Sequence, residues 1–473
     1  MSLIGRKREQ DLLDRCLQSG RPEFVAVYGR RRVGKTYLVR KYFKDGFAFY
    51  ATGVANGKTR EQLKAFHAKL REYGDPERTI PKDWFEAFSR LASLLGNEGV
   101  QKDRASGRVV VFLDELPWMD TPRSDFKSAL DFFWNSWASA RDDLVLVACG
   151  SATSWMISNL INDYGGFHNR VTRQIRLEPF NLAECEEYYR SEGIAFSRRQ
   201  MIESYMVFGG IPYYLTLIDR RSSLAQNIEQ LCFSQTGELR LELSRLYRSL
   251  FRHGDRHLQI VRALASRQGG LLRAELERVD GIGGGKSLTT ALAELEQCGF
   301  IRKYRDFAKE SRGHHYQVID PFTLFSLRFI EGGDIGSWMA FINTPAYVAW
   351  SGMAFELVCL LHVDQIKSAL GVGAVRTNQA AWHSSKADPG AQIDLLIDRA
   401  DGVVNLCEMK YSSKEFAIDK SYAQTLQNKL AAFQEETKTT KAIHVTMVTA
   451  SGLAHNAYWN VVQNELTADD LFT

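Results

Sequence analysis

The chain has 473 residues, of which 45% are hydrophobic and 25% are charged. This composition is ordinary for globular proteins and excludes a largely disordered chain, while the length predicts about three domains. Sixty basic residues against 56 acidic residues give a formal net charge of +4. Any binding of nucleic acid must therefore depend on a local basic surface rather than on bulk charge.

The cysteines and the apolar segments favour a cytoplasmic protein. The seven cysteines are an odd number and form no C-x-x-C pair, which argues against a disulfide framework and a zinc ribbon. No apolar stretch approaches the length of about 18 residues that a transmembrane helix needs. The N-terminal MSLIGRKREQ also lacks the apolar core of a signal peptide. We expect buried thiols, a cytoplasmic location and no membrane partner.

Residues 1–180 alternate short apolar runs with amphipathic segments. The runs are apolar at successive positions, as in strands that are buried on both faces of a parallel sheet. They are FVAVY (24–28), FAFYA (47–51), VVVFLD (109–114) and LVLVACG (144–150). Helical patterns lie between them at 36–44, 60–73, 83–95 and 124–140. This part of the chain predicts an α/β domain with a parallel sheet and helices on both sides.

The remaining chain predicts further domains. Residues 181–250 have a helical pattern and are interpreted as a helical lid. Residues 251–322 predict a winged helix, with helices at 257–266, 271–279 and 286–298 and a hairpin of 300–306 and 314–319 across the charged loop 309–315. A connector over 323–345 precedes a second α/β domain over 346–473. Its predicted elements are a helix (349–370), strands (391–398, 403–410, 442–449) and another helix (420–434).

Residues 29–36, GRRRVGKT, fit the phosphate-binding pattern G-x-x-x-x-G-K-[ST] completely and lie between a predicted strand and a predicted helix. Glycines let backbone N–H groups turn toward phosphate oxygens, and the helix N-terminus adds unpaired donors. Lys35 is expected to reach the β- and γ-phosphates, and Thr36 to ligate Mg²⁺. The predicted nucleotide loop consists of Gly29, Arg30, Arg31, Arg32, Val33, Gly34, Lys35 and Thr36.

Two adjacent carboxylates lie at the end of the apolar run 109–114: Asp114 is its last residue and Glu115 follows it. We expect Asp114 to hold Mg²⁺ and Glu115 to act as the general base toward water. Ser151 follows the next run and could orient water near the γ-phosphate, although an ordinary turn serine explains it nearly as well. Arg170 could act as an arginine finger in trans or as a sensor in cis, with Arg173 as the fallback. A solvated basic surface is the alternative for both arginines.

These motifs together resemble those of archaeal-type AAA+/STAND P-loop ATPases over about residues 1–250. The segments that carry the resemblance are LIGRKREQDLL (3–13), GRRRVGKT (29–36), FLDELPWM (112–119), HNRVTRQIRLEPF (168–180) and FGGIPYYL (208–215). The resemblance implies that the nucleotide is ATP and that it is hydrolysed. It also implies an adenine-side box at Ile4, Gly5 and Arg6 and a segment that closes over the base at Pro212. An arginine acting in trans would imply an oligomer.

A second glycine-rich segment, GIGGGKS (281–287), is not expected to bind phosphate. Asp280 stands where the first glycine would be required, and no buried strand precedes it. We expect a turn, with Ser287 near the start of the next helix.

The helix at 286–298 would be the recognition helix of the predicted winged helix. Lys286, Ser287, Thr289 and Thr290 near its N-terminus could contact phosphates or bases of DNA. Arg302, Lys303 and Arg305 lie near the expected wing. Because the helix also carries Glu294 and Glu296, contact with a protein partner is the alternative.

The last domain contains a candidate site for a hard cation. Glu408 and Lys410 are two positions apart in a predicted strand and so point to the same face, where Asp394 on a neighbouring strand can meet them. Such carboxylates suit a Mg²⁺ or Mn²⁺ ion that stabilises charge on a phosphodiester, with Lys410 orienting or deprotonating water. Glu356 on the preceding helix is a possible supporting ligand. An ion-pair cluster without metal is the alternative.

The set Glu356, Asp394, Glu408 and Lys410 resembles the PD-(D/E)xK nuclease fold over about residues 345–473, except that Ile393 replaces the proline. The sequence thus predicts an ATPase whose nucleotide state controls a metal-dependent DNA nuclease. The alternative is a nucleotide-dependent switch or scaffold with an inactive C-terminal fold that binds DNA or a protein. A small-molecule kinase would need a second substrate pocket, for which the sequence carries no signature.

Overall fold

The computed structural model describes residues 3–162, 170–307, 313–333, 335–342, 344–384 and 391–473. The chain divides into two compact units, Met1–Glu178 and Pro179–Thr473. All seven cysteines lie within the described residues, and they are buried free thiols. The other domain boundaries proposed from the sequence stay predictions.

The first unit alternates strands and helices as the sequence predicts. Its strands are β1 (Glu23–Tyr28), β2 (Phe49–Thr52), β3 (Val109–Asp114), β4 (Leu144–Gly150) and β5 (Arg173–Arg176). Its helices are α1 (Lys7–Gln18), α2 (Lys35–Tyr42), α3 (Thr59–Glu72), α4 (Trp84–Leu95), α5 (Leu116–Met119), α6 (Phe126–Ser136) and α7 (Thr153–Met156). A 3₁₀ turn (Ala138–Ala140) and a π-helical turn (Ile157–Ile161) extend α6 and α7.

The strands of the first unit form one parallel sheet in the order β2-β3-β4-β1-β5. Every residue of β1, β3 and β4 is buried, which explains their uninterrupted apolar runs. In a parallel sheet all carboxyl ends lie at one edge, so the segments that follow β1, β3 and β4 meet there. Strand β5, an edge strand beside β1, is not predicted from the sequence.

The second unit begins with helices. They are α8 (Leu182–Ser191), α9 (Arg198–Phe208), α10 (Pro212–Leu215), α11 (Leu224–Ile228), α12 (Glu242–Leu250) and α13 (Gly254–Ala265). There follow β6 (Leu271–Leu272), α14 (Arg273–Leu276), α15 (Gly285–Gln297), β7 (Ile301–Tyr304) and β8 (His315–Val318). The predicted helix at 271–279 is therefore wrong in its first turn, because Leu271 and Leu272 pair with β8 instead.

The second unit ends in another α/β region. After α16 (Pro321–Phe325) and α17 (Trp338–Phe341) come α18 (Pro345–Leu361), α19 (Val363–Ala369), β9 (Thr377–His383), β10 (Gln392–Arg399), β11 (Val403–Lys410) and β12 (Phe416–Ala417). The chain continues through α20 (Lys420–Thr437), β13 (Ala442–Thr449), β14 (Leu453–Ala454) and β15 (Asn464–Thr467). Shorter π-helical and 3₁₀ turns lie at Glu229–Phe233, Ser326–Glu331, Trp459–Val461 and Ala468–Phe472.

Two main sheets organise the second unit. A three-stranded antiparallel sheet has the order β6-β8-β7 and contains the predicted hairpin, although loop residues 309–312 lie outside the described residues. A five-stranded mixed sheet has the order β15-β13-β11-β10-β9. In it β9, β10 and β11 are antiparallel, while β11, β13 and β15 are parallel.

The predicted helix at 349–370 is broken at His362, where α18 ends and α19 begins. His362 is fully buried, and burial lowers the pKa of its ring to about 4. The neutral ring accepts a hydrogen bond at Nε2 from the Leu182 N–H (3.0 Å) and donates from Nδ1 to the Val358 carbonyl (2.8 Å). Through these two hydrogen bonds the His362 ring links the end of α18 to the start of α8.

Within the described ranges, no single helix has the length and apolar character needed to cross a membrane. The bent pair Pro345–Leu361 and Val363–Ala369, with 73° between its members, passes that test only when both helices are taken together.

Candidate functional site

The loop between β1 and α2 has the backbone conformation that a phosphate-binding loop requires. Gly29 and Gly34 have φ values of 145° and 88°, and Arg32 between them has φ 72°. A side chain at Gly29 would come within 2.2 Å of the Leu177 carbonyl oxygen, so glycine is required there. The loop leads directly into the N-terminus of α2, where unpaired N–H groups favour anions. These features fit a bound phosphate chain.

Lys35 and Thr36 link this loop to the neighbouring strands. The Lys35 ammonium is buried and donates to the carbonyls of Gly29 (2.9 Å) and Arg30 (2.8 Å). The Thr36 hydroxyl donates to the Asp114 carboxylate (2.9 Å) at the end of β3. Burial raises the pKa of Asp114, and the hydrogen bond from Thr36 opposes this increase. A hydroxyl and a carboxylate in direct contact beside a phosphate loop are the oxygen donors that Mg²⁺ prefers.

Glu115 and Ser151 form the third part of the site. Glu115 follows β3 in the left-handed region (φ 46°), which turns its side chain toward the end of β4. There the Ser151 hydroxyl donates to Glu115 Oε2 (2.7 Å) and the Ser151 N–H donates to the same oxygen (3.2 Å). The structure therefore brings the two residues together, and Ser151 contacts the predicted general base.

The N-terminal box lies against the same loop. The Arg6 guanidinium is buried and donates to the Val33 carbonyl (3.1 Å), while Arg6 itself adopts a left-handed conformation with φ 57°. Gln10 holds the adjacent turn by donating to the Gly5 carbonyl (2.7 Å). Ile4 is half-buried beside this turn. Arg6 thus supports the phosphate loop from outside it.

The arginines before and within β5 lie at different positions relative to the phosphate loop (29–36). Arg173 is paired with Val25 and contacts Glu23, at the start of β1, so it lies about three residues, or roughly 10 Å, from the P-loop end of the sheet. Its contact with Glu23 lies at the opposite end of β1 from the phosphate loop, and a role for Arg173 at the nucleotide stays a prediction. Arg170 is exposed and precedes it, next to the undescribed residues 163–169. Arg176 is paired with Tyr28, directly before Gly29, and was missed because β5 was not predicted.

Pro212 belongs to the second unit and begins α10. The preceding Gly209 and Gly210 have φ values of 64° and 65°. A side chain at Gly210 would come within 2.1 Å of the Phe180 carbonyl oxygen, so this turn also requires glycine.

A model of the family described as "ATPase domain predominantly from Archaea" matches residues 3–218. Residues 3–218 are therefore similar to archaeal-type ATPase domains. The match includes the phosphate loop (29–36), Asp114 at the end of β3, Glu115 after it, Ser151 and Pro212.

Individual proteins are similar to the ATPase domain and to part of the chain beyond it. An uncharacterized protein of Methanocaldococcus jannaschii is 23% identical over 334 residues, which are 69% of this chain and 68% of that protein. A Walker-type ATPase of Pyrococcus abyssi is 20% identical, covers 69% of this chain and 96% of its own, and has a TM-score of 0.48. A STAND protein with a tetratricopeptide repeat sensor from Pyrococcus horikoshii is 14% identical and has a TM-score of 0.31. The match spans 79% of this chain and 52% of that protein.

The four predicted residues of the C-terminal site lie at one place in the second unit. The β10–β11 register pairs Leu395 with Cys407, the residues next to Asp394 and Glu408 in their strands, and the charges of Asp394, Glu408 and Lys410 all act on Glu356. Glu408 and Lys410 both contact Tyr422, whose hydroxyl donates to Glu408 (3.1 Å) and whose ring lies 4.9 Å from the Lys410 ammonium. Burial raises the pKa of Glu356 to about 7, and the charge of Asp394 adds to this increase.

Each of these carboxylates has a partner from the protein itself. The Lys429 ammonium on α20 contacts Glu408 at 2.5 Å, Gln392 donates to Asp394 (2.6 Å), and Gln268 donates to Glu356 (2.5 Å). Across the residues that the structure describes, no three histidine, cysteine, aspartate or glutamate side chains converge closely enough to hold a metal ion. The three predicted ligands, Glu356, Asp394 and Glu408, are therefore neighbours, but in the described structure they do not converge on one metal position. The contacts of Gln268 and Lys429 are not predicted from the sequence, since neither residue belongs to the motif.

The N-terminus of α15 is exposed, including Lys286, Ser287, Thr289 and Thr290. The helix begins at Gly285 after a turn, as expected for GIGGGKS, and it follows α14 rather than a buried strand. Arg302 differs from expectation, because its Nε donates to Gln317 (2.6 Å) and its guanidinium lies 4.6 Å from the ring of Tyr304. Arg302 is thus occupied within the sheet, whereas Lys303 and Arg305 are exposed.

Proposed function

We propose that the ATPase domain binds ATP with Mg²⁺ and hydrolyses it. The observation that carries the proposal is the contact of 2.9 Å between Thr36 and Asp114 beside a loop with the conformation of a phosphate cradle. Bound Mg²⁺ would neutralise charge on the β- and γ-phosphates, with Thr36 and Asp114 as its protein ligands. Lys35 would exchange the Gly29 and Arg30 carbonyls for phosphate oxygens.

Glu115 would accept a proton from the attacking water, while Ser151 keeps its carboxylate oriented. Ile4, Gly5 and Arg6 would lie on the adenine side of the nucleotide, and the role of Pro212 stays a prediction from the sequence. Arg170 would act as an arginine finger from another copy of the chain, which predicts an oligomer, or as a sensor within the same chain. Arg176, in β5 beside the end of β1, is the candidate for an arginine that contacts the nucleotide bound by its own chain.

The test is MgATP hydrolysis by the purified full chain, compared with Lys35→Ala and Thr36→Ala. We expect both variants to lose hydrolysis, since one loses the phosphate contact and the other a metal ligand. Hydrolysis that both variants retain would contradict the proposal.

For the second unit we propose a metal-dependent DNA nuclease whose access to substrate depends on the nucleotide state. The proximity of Glu356, Asp394, Glu408 and Lys410 supports it, and exposed Lys286 and its neighbours on α15 offer a surface for DNA phosphates in a winged-helix arrangement. Mg²⁺ or Mn²⁺ at these carboxylates would stabilise charge on the phosphodiester. The free, buried thiols agree with a reducing, cytoplasmic location.

A second candidate function is a nucleotide-dependent switch or scaffold with an inactive C-terminal fold. The contact between Lys429 and Glu408 favours it, because an ammonium group already neutralises that carboxylate. Plasmid and linear DNA, incubated with Mg²⁺ or Mn²⁺ and with or without ATP, distinguish the two. Cleavage that is lost in Glu408→Ala and Lys410→Ala supports the nuclease. DNA that stays intact under every condition, or cleavage that both variants retain, supports the scaffold.

A further inference from the structure

A continuous chain of hydrogen bonds joins the three-stranded sheet to the C-terminal carboxylates. Arg302 Nε donates to Gln317 Oε1 (2.6 Å), and Gln317 Nε2 donates to the Gln268 carbonyl (2.6 Å). The Gln268 side chain in turn donates from Nε2 to Glu356 Oε2 (2.5 Å). Gln317 is buried at the centre of this chain and uses both ends of its amide. The backbone that carries Gln268 is therefore fixed relative to Glu356.

The region that supplies Gln268, residues 254–318, is also anchored to the five-stranded sheet. The Phe307 N–H donates to the Ala381 carbonyl (2.8 Å), and the Phe307 ring lies 5.3 Å from the ring of Phe433. Asp306 accepts a hydrogen bond from His383 on β9 (3.0 Å). These contacts hold the two parts of the second unit together independently of Gln268.

A cavity of about 680 Å³ lies between this region (residues 254–318) and helix α18, with Asp394 of the five-stranded sheet on its wall. Its lining includes Gln268 and Gln317 from one side and Glu356 and Asp394 from the other. Its volume is in the range of about 300–1,000 Å³ that is usual for ligand sites. The amide of Gln268 thus reaches a predicted metal ligand at the wall of an accessible cavity.

We propose that the C-terminal site is composite, and that Gln268 is a positioning residue that orients Glu356 toward a divalent cation. The proposal rests on the proposed metal site. A hydrogen bond to one carboxylate oxygen leaves the other oxygen free to ligate and fixes its direction, as outer hydrogen-bond partners do in metal sites generally. Gln317 and Arg302 act behind Gln268 by fixing its backbone.

The test uses Mn²⁺ alone as the probe, titrated calorimetrically into the nucleotide-free full chain. The difference between the wild type and Glu408→Ala defines binding at the C-terminal site. We expect Gln268→Ala to weaken this binding by about 10- to 100-fold, and Arg302→Met to weaken it less. Gln259→Ala changes an exposed glutamine of α13 in the same region and should bind as the wild type does.

A double-mutant cycle separates positioning from a structural effect. If Gln268 acts through Glu356, then Gln268→Ala should cause no further loss of Mn²⁺ affinity in a Glu356→Gln background. Because Gln268 is exposed, its truncation leaves no cavity in a core, and we expect an unchanged thermal unfolding midpoint.

Two failures are distinguishable. Mn²⁺ binding that depends on Glu408 but is unchanged in Gln268→Ala would overturn the positioning role and leave the metal site in place. A wild-type chain without any Glu408-dependent binding would overturn the metal site and this inference together.

Discussion

The carboxylate of Glu115 accepts hydrogen bonds from the hydroxyl and the backbone N–H of Ser151. These donors fix its orientation next to Asp114, whose own carboxylate is held by Thr36. The two adjacent acids therefore have different partners. The arrangement suits one carboxylate for a cation and the other for a proton.

Glu115→Gln tests this division of roles. The amide keeps the size of the side chain but cannot accept a proton from water, so hydrolysis should fall by about 10²- to 10⁴-fold. ATP binding, measured by calorimetry, should stay at the wild-type level. Glu98→Gln changes an exposed glutamate of the same unit and is the matched control. Wild-type hydrolysis by Glu115→Gln would assign the base to another residue.

Glu356 gives a prediction about pH and stability. Burial raises its pKa in the folded chain to about 7, against about 4.3 for an ordinary glutamate. Between these values the folded state binds more protons than the unfolded state, so this residue makes stability fall as the pH rises from about 4.3 to about 7. Glu356→Gln should therefore unfold at a higher temperature than the wild type at pH 8, but not at pH 4.

Differential scanning calorimetry without divalent ions, at several pH values, measures this difference. Glu187→Gln, at an exposed glutamate of α8, provides the control. If the unfolding temperatures of Glu356→Gln and the wild type differ by the same amount at every pH, the prediction is contradicted.

At the scale of elements, the buried strands were the easiest to predict. Val109–Asp114 and Leu144–Gly150 are buried at every position, and their apolar runs give the strand bounds without ambiguity. β5 was missed because Arg173 and Arg176 make it polar, as edge strands often are. The same polarity hid β9, whose first half is half-buried or exposed.

Residues of the candidate sites could likewise be predicted only where the local sequence pattern determines their position. Residues one or two positions apart in one loop or strand, such as Lys35 with Thr36 or Glu408 with Lys410, could be proposed as neighbours from spacing alone. Gln268 and Lys429 could not, since they approach Glu356 and Glu408 only through tertiary packing, 88 and 21 residues away in sequence.

Helix α20 provides a prediction at this scale. It presents Tyr422 and Lys429 to Glu408, and the Lys429 ammonium occupies one of the oxygens that a cation would use. Lys429→Met keeps the aliphatic stem but removes this competing charge, so Mn²⁺ should bind several-fold more tightly at Glu408. Lys420→Met, at the exposed start of the same helix, is the control, and calorimetry measures both. Unchanged or weaker Mn²⁺ binding in Lys429→Met would mean that the lysine supports the site rather than blocks it.

At the scale of the whole molecule, the chain combines a region similar to archaeal-type ATPase domains, residues 3–218, with a C-terminal part that has its own candidate chemistry. In the proposed function the nucleotide state of the first unit controls the second. Such control requires two arrangements of the chain that bind ATP with different affinities. Control of the second unit by nucleotide therefore depends on ATP binding at residues 29–36.

Calorimetric titration of MgATP into the folded full chain measures this binding most directly. We expect saturable binding in the wild type and in the control Lys41→Ala, which changes an exposed lysine of α2. In Lys35→Ala the affinity should fall at least tenfold, because a charged hydrogen-bond donor to the phosphates is lost, worth roughly 1.5–3 kcal/mol. A folded wild-type chain that binds no ATP, or equal affinity in Lys35→Ala, would contradict the account.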